Sequence, residues 1–248
     1  MNAKLVNNLE ELKLEKMINL LPEYLDEIAR NEILFEEALL YLTDRELVAK
    51  REKASKTQLT VAHFPFQKRY DEFDYTFQPS VNKTQIKDLC SLRFIENKEN
   101  IVFYGTPGVG KTHLAVSIGM EAALKRNQTY FISAHDLIQN LRNAYDENRV
   151  ETRLKHYSKY KVLIIDEVGY LPIDTLGANL FFQLINKRYE HSSTIITTNE
   201  PFSKWGELFS NLTLANAILD RLLHHSHIIK IIGPSYRTKD VLASLEED

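Results

Sequence analysis

The sequence predicts an α/β fold in which a parallel β-sheet is covered by helices on both faces, with a small helical segment before it. From about Thr84 onward, short apolar stretches alternate with helical ones, which is typical of βαβ units. A glycine-rich loop joins the first of these apolar stretches to a helix. Residues 5–50, by contrast, have apolar side chains at spacings near three and four, which indicates helices alone.

Five apolar stretches are predicted to be strands. Each is short and nearly continuous in hydrophobicity, as strands buried on both faces of a parallel sheet are. The predicted strands are residues 101–104, 129–133, 161–166, 193–198 and 227–232. The helices expected around them are residues 84–96, 111–126, 135–157, 174–190 and 214–224.

The composition is that of an ordinary globular protein, with 248 residues of which 44% are hydrophobic and 26% charged. The single cysteine, Cys90, excludes an intrachain disulfide and suits a reducing cytosol, so we expect a cytoplasmic protein. No apolar run approaches the ~20 residues of a membrane span, so no membrane partner is expected. The net charge of −3 does not by itself indicate a nucleic-acid partner, so evidence for one must come from local basic patches.

Residues 1–50 are predicted to form an N-terminal helical domain. Pro22 lies early in the second helix, where its missing N–H costs little. Thr43 and Glu46 resemble a capping box that opens a third, short helix. Six Lys and Arg residues face eleven Asp and Glu residues, which leaves a charge of −5. The domain is either a solvated bundle or a module for oligomerisation or partner docking, and its small core favours docking.

Residues 51–72 are predicted to be a basic linker. Up to Arg69 this segment has five basic side chains and one acidic one, a local charge of +4, with Phe64 and Phe66 among them. Basic residues with interleaved aromatics can follow a phosphate backbone. The alternative is a linker that packs its two phenylalanines into a neighbouring domain. The candidate DNA contacts in this segment are Lys56, Lys68 and Arg69.

The strand at residues 101–104 is followed by a full match to the phosphate-binding loop G-x-x-x-x-G-K-[ST]. Its glycines let backbone N–H groups point inward and hold phosphate oxygens at the start of the next helix. Lys111 would place its charge on the β- and γ-phosphates of ATP, and Thr112 would offer a hydroxyl to Mg²⁺. The residues expected to bind ATP here are Gly105, Thr106, Pro107, Gly108, Val109, Gly110, Lys111, Thr112 and His113.

Two adjacent acids end the buried strand at residues 161–166. Asp166 would hold Mg²⁺ through its water shell, and Glu167 would act as general base on the attacking water. An acid at the second position favours a hydrolase over a phosphotransferase, whose acceptor comes from outside. The alternative is a carboxylate pair that only marks the end of a strand. We therefore expect an ATPase that uses Mg²⁺, with Lys111 and Glu167 as catalytic residues.

Three further residues are candidates from their positions. Asn199 follows the strand at 193–198 and could orient the attacking water, or it could only begin a turn. Arg221 lies on the helix at 214–224 and could reach ATP held by a neighbouring subunit, or it could pair with Asp220. Arg237 is expected in the first turn of a final helix, where a cation is unfavourable unless a phosphate is near, so we expect it to bind ATP.

The segment 135–160 is a candidate DNA-binding element within the predicted α/β domain. Its basic side chains cluster towards its C-terminal end, with Tyr157 and Tyr160 between them. Such contacts go to phosphates, so affinity would fall steeply with salt and show little sequence preference. The alternative is a solvated pair of amphipathic helices. The candidate DNA contacts here are Arg149, Arg153, Lys155 and Lys159.

Taken in order, these elements resemble the motifs of an AAA+ ATPase from roughly Phe73 to the end of the chain. The sequence is most similar to the IstB family, the ATP-dependent helpers of insertion-sequence transposition, and after it to DnaC-type helicase loaders and DnaA-type initiators. The matching stretches are FDYTFQPSVNKTQIKDL, FIENKENIVFYGTPGVGKTHLAVSIG, LIIDEVGYLP, TTNEPFSKWGELF, AILDRLLHHSHII and SYR.

This resemblance implies a five-stranded parallel AAA+ sheet and an ATPase domain at residues 73–248. It assigns Asn199 to the first sensor, Arg221 to the arginine finger and Arg237 to the second sensor, beside the two Walker motifs described above. Only about fifteen residues follow Gly233, so the usual helical lid is reduced to about one helix from about residue 234. With such a short lid, we expect a neighbouring subunit to complete the ATP site.

The resemblance also implies a function. It predicts a homo-oligomer, a ring or a spiral with ATP between subunits, that forms on duplex DNA, deforms it and stimulates a cognate transposase. One alternative is a DnaC-like loader that acts on a replicative helicase and single-stranded DNA. Another alternative is a small-molecule kinase with the same loop. Glu167 and the two arginines, Arg221 and Arg237, argue against a kinase.

Overall fold

The computed structural model describes residues 2–30 and 32–239 and divides into two compact units, Met1–Thr57 and Gln58–Asp248. The boundary falls within a helix, so residues 51–61, the first half of the expected linker, are helical. The functional division expected from the sequence, into residues 1–50, 51–72 and 73–248, remains a prediction.

Three helices make up the first unit: α1 (Ala3–Glu11), α2 (Glu15–Ala29) and most of α3 (Phe35–Val61). Glu46 on α3 is buried, and its carboxylate accepts hydrogen bonds from the backbone N–H groups of Lys16 (2.8 Å) and Met17 (3.1 Å). These N–H groups begin α2 and have no partner within their own helix. The predicted capping box with Thr43 is therefore wrong, because Glu46 caps another helix and Thr43 lies inside α3.

A five-stranded parallel sheet forms the centre of the second unit, which confirms the predicted fold class. The strands are β1 (Asn100–Gly105), β2 (Thr129–Ser133), β3 (Val162–Val168), β4 (Ser193–Thr198) and β5 (Ser226–Ile231), in the order β2-β3-β4-β1-β5. Ligands of such sheets bind at the carboxyl ends of the strands. In this sheet, that end carries Gly105, Asp166 and Thr198.

Helices cover the sheet and enclose two groups of buried side chains. One group includes Leu141, Phe181 and Ile218, and the other includes Ile86 and Leu114. The helices are α4 (Lys83–Leu89), α5 (Arg93–Glu96), α6 (Lys111–Leu124), α7 (Ala134–Asp146), α8 (Val150–Ser158), α9 (Thr175–Arg188), α10 (Trp205–Leu208) and α11 (Leu212–Leu223), with 3₁₀ turns at Tyr70–Glu72, Phe202–Lys204 and Tyr236–Thr238. The single helix expected at residues 135–157 is thus two helices.

The last described segment, residues 232–239, contains the 3₁₀ turn Tyr236–Thr238. The helical lid expected from about residue 234 falls mainly on residues 240–248, outside the described part of the chain. Across the described residues, no helix is both long and apolar enough to cross a membrane.

Candidate nucleotide-binding site

The phosphate-binding loop joins the end of β1 to the start of α6. Gly108 (φ 79°) and Gly110 (φ 94°) take left-handed conformations that favour glycine. A Cβ on Gly110 would collide with the ring of Phe73, and one on Gly108 with the hydroxyl of Ser235. The first helical residue is Lys111, so the loop ends at the positive end of a helix dipole, where anions bind.

The Lys111 side chain folds back over this loop. Its ammonium group donates hydrogen bonds to the carbonyl oxygens of Gly105 and Thr106, both at 2.8 Å. Burial lowers the pKa of Lys111, while the carboxylates of Asp166 and Glu167 act in the opposite direction. The cation therefore lies at the loop where the sequence predicted a phosphate contact.

Asp166 is joined to two threonine hydroxyls from two different elements. The Thr112 hydroxyl on α6 lies 2.9 Å and 3.2 Å from the two carboxylate oxygens, and the Thr197 hydroxyl on β4 donates to one of them at 2.6 Å. Burial raises the pKa of Asp166, and the two hydroxyls oppose that rise. The first acid and the loop threonine, both predicted as Mg²⁺ contacts, are thus brought together.

Glu167 has an exposed side chain although both of its neighbours in β3 are buried. The pairing of β3 with β4 shifts register between Ile165 and Val168, and Glu167 has a left-handed φ of 60°. Its backbone N–H donates to the Thr197 hydroxyl at 2.9 Å. The bulge therefore directs the second acid away from the buried sheet and towards solvent at the loop.

Most of the predicted ATP-binding residues line one cavity of about 350 Å³, a size typical of ligand sites. Asn199 and Arg237, which lie far apart in the sequence, both reach it. The predicted residues on its wall are Pro107, Gly108, Val109, Gly110, Lys111, Thr112, His113, Glu167, Asn199 and Arg237. Side chains that were not predicted for this site include Phe66, Phe73, Tyr170, Thr197 and Tyr236.

Aromatic side chains form one side of this cavity, around His113. The ring centroids of Phe73 and Phe66 lie 5.5 Å and 6.4 Å from that of His113, both edge to face. Nε2 of His113 lies 2.9 Å from the carbonyl oxygen of Arg69, and burial lowers the pKa of the imidazole. The segment before α4 therefore supplies an apolar wall that lies against the loop at Gly110.

The C-terminal segment is tied to the phosphate-binding loop and carries Arg237 to the cavity. The backbone N–H of Tyr236 donates to the carbonyl oxygen of Gly108 at 2.9 Å. Lys239 pairs with Asp74 at 2.7 Å, which holds the pKa of that carboxyl well below its usual range. Ser235 accepts a hydrogen bond from the N–H of Arg237 and so begins the turn. These contacts place Arg237 beside the loop.

Arg221 lies away from this cavity in the same chain. Its Nε donates to Asn186 at 2.8 Å, Nη1 donates to the carbonyl oxygen of Ala217 at 3.0 Å, and its Cζ lies 4.9 Å from the ring centroid of Phe182. Among the described residues, the Arg221 side chain makes these contacts and does not form the alternative ion pair with Asp220. Any role at the phosphates would require the site of another subunit.

Two of the residues proposed for DNA contact lie beside the nucleotide cavity. Lys68 lines it, and Arg69 pairs with Asp71 (3.4 Å) and Glu121 (3.6 Å) while its carbonyl oxygen faces His113. Lys56 lies on α3 in the first unit. Phe64 is half-buried and packs against the core, and Phe66 is half-buried at the nucleotide cavity. These positions agree with the alternative in which the linker packs its two phenylalanines into a neighbouring domain.

The remaining basic candidates lie on α8 and at its ends. Arg149 pairs with Glu147, Lys155 lies 3.7 Å from Glu151, and Lys159 lies 5.2 Å from the ring centroid of Tyr160. Arg153 is half-buried on the same helix.

The tyrosines between these basic residues do not form a free aromatic surface. Tyr157 is 1% exposed and belongs to the core, and Tyr160 stacks on Tyr130 with ring centroids 4.9 Å apart. The prediction that Tyr157 contributes to a surface for DNA is therefore wrong, because this residue of α8 packs its side chain into the core.

Removing the Thr197 hydroxyl tests whether it positions the acid pair. We expect Thr197→Val to lower ATP hydrolysis about 10- to 100-fold, since a hydrogen bond to a charged group is worth about 1.5–3 kcal/mol. Thr198→Val is the matched control, because the Thr198 hydroxyl bonds to the backbone of Glu200 only. Phosphate release should be measured for both folded variants. Equal rates in the two would show that Thr197 has no such role.

Solved structures define the class of this protein. The chain is similar to the crystal structure of the DnaC helicase loader, with 28% identity and a TM-score of 0.53 over 60% of this chain and 88% of that one. It shares the fold of AMPPCP-bound DnaA from Aquifex aeolicus, at 20% identity and a TM-score of 0.56 over 75% and 57% of the two chains. With the loop described above, the second unit is an AAA+ P-loop NTPase domain.

The model of the IstB-like ATP-binding protein family matches residues 7–244, and the chain belongs to that family. It is 56% identical to an ATP-binding protein of insertion sequence IS232 from Bacillus thuringiensis subsp. berliner, over 96% of this chain and 95% of that protein. It is 40% identical to an ATP-binding protein of insertion sequence IS21 from Pseudomonas aeruginosa, over 94% and 88%. The expected family is thereby confirmed.

Proposed function

We propose that this protein is a Mg²⁺-dependent ATPase that assembles on duplex DNA and assists the transposase of an insertion sequence. The observation that carries the proposal is the linkage of Thr112, Asp166 and Thr197, with Glu167 turned into the cavity beside Lys111. The names of the relatives, which are ATP-binding proteins of insertion sequences, support the biological setting.

The residues at the loop fit Mg²⁺ and ATP. Thr112 and Asp166 offer only oxygen atoms, the ligands that Mg²⁺ prefers, and the Mg²⁺ ion would neutralise charge on the phosphates. The loop N–H groups and Lys111 would hold the β- and γ-phosphates. Phe66 and Phe73 offer flat apolar surfaces to the adenine base.

Hydrolysis would then use Glu167 as general base. The glutamate accepts a proton as a water oxygen bonds to the γ-phosphorus, and the bond from that phosphorus to the bridging oxygen of ADP breaks. Asn199 lies on the same wall and would orient the water. Arg237, also on this wall, would contact the phosphates from the same chain.

Arg221 would complete the site from a neighbouring subunit. Asn186 and Phe182 hold its side chain on α11, away from the cavity of its own chain. An arginine placed so can stabilise the γ-phosphate held by the next subunit of a ring or spiral. Nucleotide binding and assembly would then depend on each other.

DNA contact is proposed for the basic side chains on and around α8, which lie outside the nucleotide cavity. The candidates are Arg149, Arg153, Lys155 and Lys159, with Lys56 on α3. Lys68 and Arg69 stay candidates, although their position beside the nucleotide would make their contribution dependent on ATP. Contacts of lysine and arginine with phosphates give little sequence preference.

Phosphate release with and without DNA tests the proposed function. We expect release from ATP without any acceptor, faster with duplex than with single-stranded DNA of equal length. Because phosphate contacts release counterions, the stimulation should fall steeply as salt rises. Release that needed a small-molecule acceptor would indicate a kinase and overturn the proposal.

A helicase loader is the second candidate function, because the chain is 28% identical to the DnaC helicase loader over 88% of that protein. Its proposed partners are a replicative helicase and single-stranded DNA. Tighter binding to single strands than to duplex, together with capture of a helicase ring by residues 1–57, would favour this reading over the first.

A further inference from the structure

A cluster of metal-binding side chains lies outside the nucleotide site, where helices α9 and α11 end. Within the described part of the chain, Glu190, His224 and His225 form the group of His, Cys, Asp and Glu residues whose ligand atoms all lie within 4.8 Å of one another. We propose that these three residues bind one transition-metal ion of the Zn²⁺ class.

The types of ligand select the metal. Two imidazole nitrogens and one carboxylate oxygen suit Zn²⁺ and similar transition metals, whereas Mg²⁺ and Ca²⁺ prefer sites made of oxygen atoms. Three protein ligands leave a fourth position of a tetrahedral ion for water. All three side chains are exposed, so the ion reaches them directly from solvent.

The ends of two helices favour a cation at this place. Helix α9 has 14 residues and stops at Arg188, and α11 has 12 residues and stops just before His224. Helix C-termini carry partial negative charge, and Glu190 adds a full one. The cations at these helix ends bond elsewhere: Arg221 donates to Asn186, Lys187 pairs with Glu151, and Arg188 donates to backbone carbonyl oxygens in the core. The cluster therefore has both the ligands and the electrostatics for a cation.

Tyr189 contacts one of the three ligands and lies next to another in the chain. Its hydroxyl lies 2.7 Å from Nδ1 of His224, and burial together with the Glu190 carboxylate raises the pKa of Tyr189. In the proposed site, Nδ1 of His224 carries the proton and donates a hydrogen bond to the tyrosine oxygen. Nε2 of His224 is then left for the metal, and Tyr189 acts as a positioning residue.

Metal binding is tested on the untagged full-length chain without nucleotide, with Co²⁺ and Zn²⁺ as probes. We expect one Co²⁺ per chain, with the intense visible absorption of tetrahedral coordination, displaced by one equivalent of Zn²⁺. Zn²⁺ should also raise the Tm, because it binds the folded state. His224→Ala and His225→Ala should each abolish the absorption, and His191→Ala, an exposed histidine on the adjoining turn, should keep it.

Tyr189→Phe separates a built site from histidines that merely attract metal. It keeps all three ligands and removes only the hydroxyl, so we expect about 10- to 100-fold weaker binding. Lys111→Ala, which alters the nucleotide site, should bind Co²⁺ as the wild type does, so the two proposals fail independently. Absorption retained in the folded His224→Ala variant, or wild-type affinity in Tyr189→Phe, would overturn the site as proposed.

Discussion

Replacing Glu167 by glutamine is expected to abolish ATP hydrolysis while ATP still binds. Glutamine keeps the size of the side chain but cannot accept the proton of the attacking water. Because general bases contribute about 10²- to 10⁴-fold to rates, phosphate release should fall by roughly that factor. The backbone N–H of residue 167 still bonds to Thr197, so the bulge that orients the side chain is retained.

The control for this variant is Glu200→Gln, which changes a half-buried acid after β4 that does not line the cavity. Phosphate release and equilibrium ATP binding should be measured for both variants. We expect Glu167→Gln to accumulate in the assembled, ATP-bound state on duplex DNA, visible as a larger particle by sedimentation. Hydrolysis by Glu167→Gln at the wild-type rate would show that another group is the base.

Lys111→Ala is expected to lose ATP binding itself. The ammonium group is a cation held directly on the phosphate-binding loop, and a hydrogen bond to a charged group contributes about 1.5–3 kcal/mol, so affinity should fall about 10- to 100-fold or more. DNA-stimulated assembly should be lost with it. Lys230→Ala, an exposed lysine on β5, should bind ATP normally. Calorimetric titration with a slowly hydrolysed ATP analogue measures both.

Mixing two inactive variants tests whether the site is shared between subunits. Glu167→Gln removes the proposed base of its own chain but should keep ATP binding and assembly, whereas Arg221→Ala would remove the contribution to a neighbour. An Arg221→Ala subunit that binds ATP next to a Glu167→Gln subunit receives an intact Arg221, so the mixture should recover part of the hydrolysis. A mixture as inactive as its components would exclude the proposed arginine finger.

The nucleotide-binding loop could be predicted because its information is local. Residues 105–112 are consecutive, and the strand before them and the helix after them are visible in the hydrophobic pattern. The same holds for Asp166 and Glu167, which follow an unbroken apolar run. Asn199 could be placed at the same edge because parallel strands end together.

Other roles depended on which segments meet in space. Thr197 bonds to Asp166 only because β4 lies beside β3 in the matching register, and the sequence contains two adjacent threonines with no sign of which one faces the acids. Glu46 looked like a local cap and proved to cap another helix. Tyr157 looked like part of a surface and lies in the core.

The sequence by itself determined the fold class, the family and the phosphate-binding loop, because periodicity and short motifs arise from neighbouring residues. Tertiary structure alone decided that Arg237 and Asn199 share a cavity with Lys111, that Arg221 does not, and that Glu167 faces away from the buried sheet. It also brought Glu190 to the two histidines that follow α11. Such contacts join residues far apart in the chain, and their geometry depends on strand register, helix ends and a single bulge.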